Sequence, residues 1–150
     1  MQLQPVDLSF AQRAPYACIH DGDVAAPPAV VFGALADLES WPRRFGPTTR
    51  GEWVTSAPHG VGSVRTVWVG ALYLVEGFVA WEPGSRFSFA VLQANLPFAR
   101  AMLEDWRIAP TARGSRVTYA IYYAPPWWLR PLRRGSCAGW GGRPRRPWPT

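Results

Sequence analysis

At 150 residues, with 48% hydrophobic and 17% charged residues, the chain has the composition of one globular domain, which excludes an intrinsically disordered protein. The formal net charge of +6 comes from six arginines in residues 130–146, because residues 1–129 contain ten arginines and all ten acidic residues. A neutral body does not attract nucleic acid, and no apolar run is long enough to span a bilayer, so neither nucleic-acid binding nor stable membrane insertion is predicted.

The first third of the chain predicts a strand followed by one or two helices. Residues 1–15 mix polar and apolar side chains without a period and predict a loose segment, whereas residues 16–24 have the composition of a strand. Pro27-Pro28 suits the start of a helix, because proline lacks the N–H that would be unpaired there, and apolar spacing extends the helix to Leu38. Ser40-Trp41-Pro42 then breaks the chain.

The remainder predicts six strands, with turn signals about every ten residues. Alternation is clearest in the last strand, where Val117, Tyr119 and Ile121 share one face. Strands at this spacing form an antiparallel meander, so the fold class is α+β. The predicted strands are 51–56, 63–69, 72–81, 86–93, 99–109 and 115–124.

The chain carries too few histidines and cysteines to define a metal or cofactor site, and none is predicted. His20 and His59 are interpreted as surface residues. Cys18 and Cys137 define no disulfide framework, and the first twenty residues lack a signal-peptide pattern, so we expect a reduced, cytoplasmic protein. The oligomeric state does not follow from the sequence.

Four short motifs lie in order along the chain. They are Leu35-Ala36-Asp37-Leu38-Glu39-Ser40-Trp41-Pro42, Gly60-Val61-Gly62-Ser63-Val64-Arg65, Trp81-Glu82-Pro83-Gly84-Ser85-Arg86-Phe87 after Glu76, and Gly114-Ser115-Arg116-Val117-Thr118-Tyr119. Their order and spacing resemble the polyketide cyclase/dehydrase branch of the START-like (SRPBCC) superfamily. The resemblance implies a helix-grip fold, in which a curved antiparallel sheet of about seven strands surrounds a long C-terminal helix and a hydrophobic cavity. It also implies binding of lipids, sterols or polyketides, with cyclisation or dehydration in some members and action on partner proteins in others.

The end of the chain departs from the family pattern. The long helix should begin near Pro126, but the sequence loses helical character after Arg134, so the helix is expected to be truncated or altered. Residues 135–150 combine Arg, Gly, Pro and Trp without an apolar period, which predicts a disordered tail or the product of a frame-altered coding sequence. We therefore divide the chain into a loose segment 1–15, a START-like ligand-binding domain 16–134 and this tail.

Two groups of side chains could carry chemistry. Met102, Glu104 and Trp106 share the face of their strand that we place inward, where burial would raise the pKa of Glu104 and make it an acid or base. The plainer interpretation is a carboxylate that is solvated at the cavity mouth or paired with an arginine. Arg65 and Glu76 can face each other across a hairpin, where Arg65 could hold a ligand's carboxylate or enolate oxygen and Glu76 could orient it. The plainer interpretation is a cross-strand salt bridge of little energetic value.

An apolar ligand requires an apolar lining, which the aromatic residues could supply, although ordinary core packing explains such residues as well. The candidate ligand-binding residues are Trp68, Tyr73, Glu76, Phe78, Phe87, Phe89, Met102, Trp106, Tyr119 and Trp127. The leading hypothesis is binding or carriage of a hydrophobic small molecule. The alternative is a polyketide cyclase or dehydratase, with Glu104 as acid or base, Arg65 stabilising an oxyanion and Tyr119 orienting the substrate. A third possibility is a protein-interaction module.

Overall fold

The computed structural model describes residues 1–128, which form one seven-stranded antiparallel sheet and three short helices. The strands are β1 (Tyr16–Val24), β2 (Thr48–Trp53), β3 (Val64–Val69), β4 (Leu72–Glu82), β5 (Arg86–Ala94), β6 (Ala101–Thr111) and β7 (Gly114–Ala124). The helices are α1 (Phe10–Arg13), α2 (Pro28–Ala36) and α3 (Trp41–Arg44), with a 3-10 turn at Leu38–Ser40. The predicted α+β class is confirmed, and every predicted strand is present.

The sheet is a meander that the first strand completes. Strands β2 to β7 pair in chain order, and β1 pairs with β7, so the spatial order is β1-β7-β6-β5-β4-β3-β2. The start of β7 passes so close to β1 that a Cβ on Gly114 would lie 2.2 Å from the carbonyl oxygen of Val24. Only glycine fits there, so the predicted turn before the last strand requires glycine at this position for β7 to pair with β1.

The inner face of the sheet, defined here as the face that carries α2, holds most of the core. Helix α2 begins at a proline pair and buries Phe32 and Leu35 against this face. One end of the face is mainly aromatic, with Trp41, Val67, Phe78, Phe87, Phe89, Trp106, Ile108 and Val117. The other end is mainly aliphatic, with Leu3, Cys18, Leu74, Val91, Ala94, Ala99, Met102 and Ile121.

The N-terminal segment packs against the sheet, which differs from the loose segment expected for residues 1–15. Pairing of β5 with β6 stops at Ala90 and Leu103, and the first residues of the chain enter the gap that follows. The Leu3 N–H donates to the Leu92 carbonyl oxygen at 2.9 Å, and Leu3 itself is buried. Helix α1 then covers the outer face of the sheet, where Phe10 is buried. Contacts about ninety residues apart in sequence therefore order this segment.

Three sequence-based expectations concerned a membrane span, the cysteines and the C-terminal end of the chain. Among residues 1–128, no helix is long and apolar enough to cross a membrane. Cys18 on β1 is buried, and Cys137 lies outside the described residues, so the reduced state expected from the sequence stays a prediction. The altered C-terminal helix and the tail at 135–150 fall outside the described residues.

Candidate functional site

A buried ion pair lies on the inner face. Arg65 of β3 and Glu76 of β4 are directly opposite each other in the strand register. The Arg65 Nε–H donates to Glu76 Oε2 at 2.6 Å, and the two side chains are 0% and 3% exposed. The predicted cross-strand pair is therefore present, but its burial separates it from the exposed pairs that contribute little to stability.

Aromatic rings enclose the Arg65 guanidinium. Its Cζ lies 4.1 Å from the ring centroid of Trp41, and the other rings are those of Phe89 at 4.8 Å, Phe78 at 5.0 Å and Phe87 at 5.4 Å. Both terminal nitrogens, Nη1 and Nη2, are buried without a hydrogen-bond partner among the described residues. Ring faces stabilise the positive charge, but they do not replace the acceptors that N–H groups lose on leaving water.

A second carboxyl group lies beside this pair. Glu104 of β6 points to the inner face, as predicted, and is 7% exposed. The Tyr119 hydroxyl donates to Glu104 Oε2 at 2.7 Å, and the Tyr119 ring stacks on Trp106 with centroids 4.0 Å apart. Glu104 is thus neither solvated nor directly paired with an arginine, which were the two plainer interpretations of its sequence position.

Burial controls the protonation of these groups. Desolvation raises the pKa of Glu104 to about 8, and the negative charge of Glu76 adds to this shift. Desolvation also raises the pKa of Glu76, although the charge of Arg65 opposes the effect. Burial, with the neighbouring Glu104, raises the pKa of Tyr119 well above its ordinary value. At neutral pH, Glu104 is therefore mostly a neutral acid and Tyr119 a neutral phenol.

The site combines a cation, a neutral acid and a phenol on an apolar wall. The guanidinium carries five N–H groups, and those on Nη1 and Nη2 have no acceptor among the described residues. Such a group can bind an oxygen that gains negative charge, while Glu104 can give or take a proton. Within residues 1–128, no set of three or more His, Cys, Asp or Glu side chains is arranged to hold a metal ion.

The predicted aromatic lining divides into three parts. Phe78, Phe87 and Phe89 are at most 3% exposed and contact one another, so they act as packed core around Arg65. Met102 and Trp106 lie on the inner face, on either side of Glu104.

The rest of the predicted lining lies away from this group. Trp68 and Tyr73 alternate with Val67 and Leu74 of the inner face, so they lie on the outer face. Trp127 is 76% exposed. The structure therefore does not bring these three aromatic residues to the site.

Sequence reasoning missed Trp41, whose ring is the nearest of the four to the Arg65 guanidinium. It stands in the stretch Ser40-Trp41-Pro42, which we interpreted only as a break after the first helix. The structure buries this ring and fixes it through a hydrogen bond from its Nε1–H to the Leu35 carbonyl oxygen at 2.9 Å. A tryptophan beside a proline in a predicted turn was the available signal, because a ring of that size is seldom left in water.

Comparison of the sequence with known proteins gives two results. A family model described as "polyketide cyclase / dehydrase and lipid transport" matches residues 21–144. An uncharacterized protein of Mycobacterium tuberculosis is 33% identical over 117 residues, which cover 77% of this chain and 70% of the relative. An uncharacterized protein of Mycobacterium bovis matches with the same identity and coverage.

Solved structures show the same fold at low sequence identity. An aromatase/cyclase from Streptomyces sp. R1128 has a TM-score of 0.64 at 18% identity, covering 83% of this chain and 72% of that one. A START superfamily protein from Mycobacterium smegmatis has a TM-score of 0.63 at 11% identity, covering 77% and 85% of the two chains. These likenesses confirm the predicted START-like fold.

Proposed function

We propose, since this chain belongs to the polyketide cyclase/dehydrase and lipid transport family, that it binds and carries a hydrophobic small molecule on the inner face of its sheet. The observation that carries the proposal is the Arg65 guanidinium, buried in an apolar wall with two terminal nitrogens that have no partner among the described residues. A ligand with a polar oxygen would supply the missing acceptor, and its apolar body would meet the apolar wall.

Energetics support a ligand as the reason for this arrangement. A buried donor without an acceptor costs about 1–3 kcal/mol, and more when the group is charged. Glu76 engages only the Nε side of the guanidinium. Binding that satisfies Nη1 and Nη2 recovers part of this cost, so the site favours oxygen-bearing ligands over plain hydrocarbons.

Retained ligand is the direct test. The protein purified from cells is measured by mass spectrometry, first under native and then under denaturing conditions, and the difference gives the mass of any bound molecule. The same measurement is made on Arg65→Lys, which keeps the positive charge but loses the planar arrangement of nitrogens. We expect a small molecule on the wild-type chain and less on the variant. An empty wild-type protein that also fails to bind apolar oxygen-bearing probes would refute the proposal.

A second candidate function is catalysis of polyketide cyclisation or dehydration. It is favoured by Glu104, whose pKa is raised by burial to about 8, close to working pH. As a carboxylate, Glu104 would take a proton from a carbon next to a substrate carbonyl, while Arg65 stabilises the enolate oxygen. The same proton would then pass to a leaving hydroxyl, so that a carbon–carbon double bond forms and water departs. Tyr119 would hold the acid in position.

Glu104→Gln separates the two candidates. The amide keeps the size of the side chain and an acceptor for Tyr119, but it cannot transfer a proton. Catalysis predicts that turnover of a polyketide-like substrate disappears while affinity for a neutral ligand is retained. Carriage alone predicts no turnover by either protein. The third possibility, a protein-interaction module, gains no comparable support from residues 1–128.

A further inference from the structure

The polar group on the inner face contains buried donors without acceptors, and these unpaired donors select among apolar ligands. Arg65 has two terminal nitrogens without an acceptor among the described residues. Protonated Glu104 adds an O–H, because its Oε2 already accepts from Tyr119 and its proton is free to point elsewhere. Glu76 uses its Oε2 to accept from the Arg65 Nε–H. The two Arg65 terminal nitrogens therefore require a ligand group that accepts several hydrogen bonds.

We propose that the bound molecule is an apolar monocarboxylic acid, held as its anion by the Arg65 terminal nitrogens, and that its binding requires the protonated form of Glu104. This inference rests on the function proposed above and narrows its ligand class. A carboxylate has two oxygens, no donor, and the spacing that matches the planar nitrogens of a guanidinium. An amide brings surplus donors, and an ester has one good acceptor and no charge.

Charge balance explains the requirement for the proton. With Glu104 neutral, the bound carboxylate and Glu76 together face the single cation Arg65. If Glu104 were ionised, three negative groups would share that cation in a site that excludes water, where like charges repel strongly. A carboxylate ligand therefore binds with Glu104 protonated, and affinity falls once Glu104 loses its proton.

The groups that face Glu104 come from three strands. They are Arg65 on β3, Glu76 on β4 and Tyr119 on β7. Strand β5 places Phe89 directly opposite Glu104, and the charged residues of the segment from α2 to α3 are exposed. Among the described residues, no further positively charged side chain faces Glu104 and could offset its negative charge if it were ionised.

We expect a ligand to reach the guanidinium past the ring of Trp41. This ring lies over Arg65 and belongs to α3, a helix of four residues. The phenylalanine rings around Arg65 are instead fixed in β4 and β5. Because α3 is short, we expect Trp41 rather than the strand-borne phenylalanines to move when a ligand oxygen reaches Nη1 and Nη2.

Three matched probes test the inference on the full-length protein: decanoate, methyl decanoate and decanamide. Their affinities are measured by isothermal titration calorimetry at pH 7 and pH 9, below the micelle concentration. At pH 7 we expect decanoate to bind at least about tenfold tighter than its methyl ester, a coupling of ordinary size for a buried charged hydrogen bond. From pH 7 to pH 9 the affinity for decanoate should fall about tenfold, in step with the protonated fraction of Glu104, while that for the ester stays constant.

Glu104→Gln is the matched variant, because its amide stays neutral at both pH values. It should bind decanoate with no loss between pH 7 and pH 9, whereas Arg65→Lys should lose most of the preference for acid over ester. Equal binding of acid and ester would overturn this inference and leave the proposed function standing. A pH dependence that persists in Glu104→Gln would overturn it too. Failure of all three probes, together with an empty purified protein, would overturn both.

Discussion

Replacing Glu104 by glutamine should stabilise the folded protein, and increasingly so as the pH rises. Burial raises the pKa of Glu104 to about 8 from an ordinary value of 4.5. Because the folded state holds this proton more tightly than the unfolded state does, the wild-type protein loses stability as pH increases between these two values. The loss is at most about 1.4 kcal/mol per pH unit, and between pH 5 and pH 8 it reaches about 3–4 kcal/mol. Glutamine does not titrate, so the variant is spared this loss.

Urea unfolding at pH 5, 6, 7 and 8 measures the effect. The free energy of unfolding of wild type should fall relative to that of Glu104→Gln by the stated amount, and the two should nearly converge at pH 5. The exposed Glu39 supplies the control, because Glu39→Gln changes a carboxylate that is hydrated in both states and should follow the wild-type curve. Parallel curves for wild type and Glu104→Gln would show that the protonation of Glu104 is not altered by folding.

Three further outcomes follow from the same contacts. Arg65→Met should lower the free energy of unfolding by about 3–5 kcal/mol at pH 7, because Glu76 is left buried without its cation. Adding Glu76→Leu should recover most of that free energy, and a double variant no more stable than Arg65→Met alone would contradict this expectation. Tyr119→Phe should raise the pKa of Glu104 above about 8, since it removes a donor that favours the carboxylate, as read by NMR of labelled glutamate side chains. Leu3→Ala should cost about 2–5 kcal/mol in urea unfolding, whereas a loose N-terminal segment would show no change.

The alternation of apolar and polar residues predicted much of the fold. The alternation of Val117, Tyr119 and Ile121 identified both the last strand and its inward face, and the structure places all three on that face. The same pattern oriented the neighbouring strand and brought Glu104 to the inner face. Alternation of apolar and polar side chains is informative wherever only one face of a strand is buried.

The wrong placement of Trp68 and Tyr73 arose in strands that are at least partly buried on both faces. Strands β3 and β4 carry large apolar residues on both faces, so Trp68 and Tyr73 could not be separated from Val67 and Leu74 by periodicity. The N-terminal segment was missed for another reason. Leu3 is ordered by Leu92, a residue far away in sequence, and no local signal announces such a contact.

The inner face carries ionisable side chains where its neighbours are apolar. Val67, two residues after Arg65, and Phe78, two residues after Glu76, fill equivalent positions with hydrophobic side chains. Replacing a buried ion pair by well-packed apolar residues is often neutral or stabilising, so the fold does not need Arg65 and Glu76. A third ionisable group, Glu104, lowers stability near neutral pH. The presence of all three at one buried place supports the proposal that they recognise an oxygen-bearing ligand or transfer a proton to one.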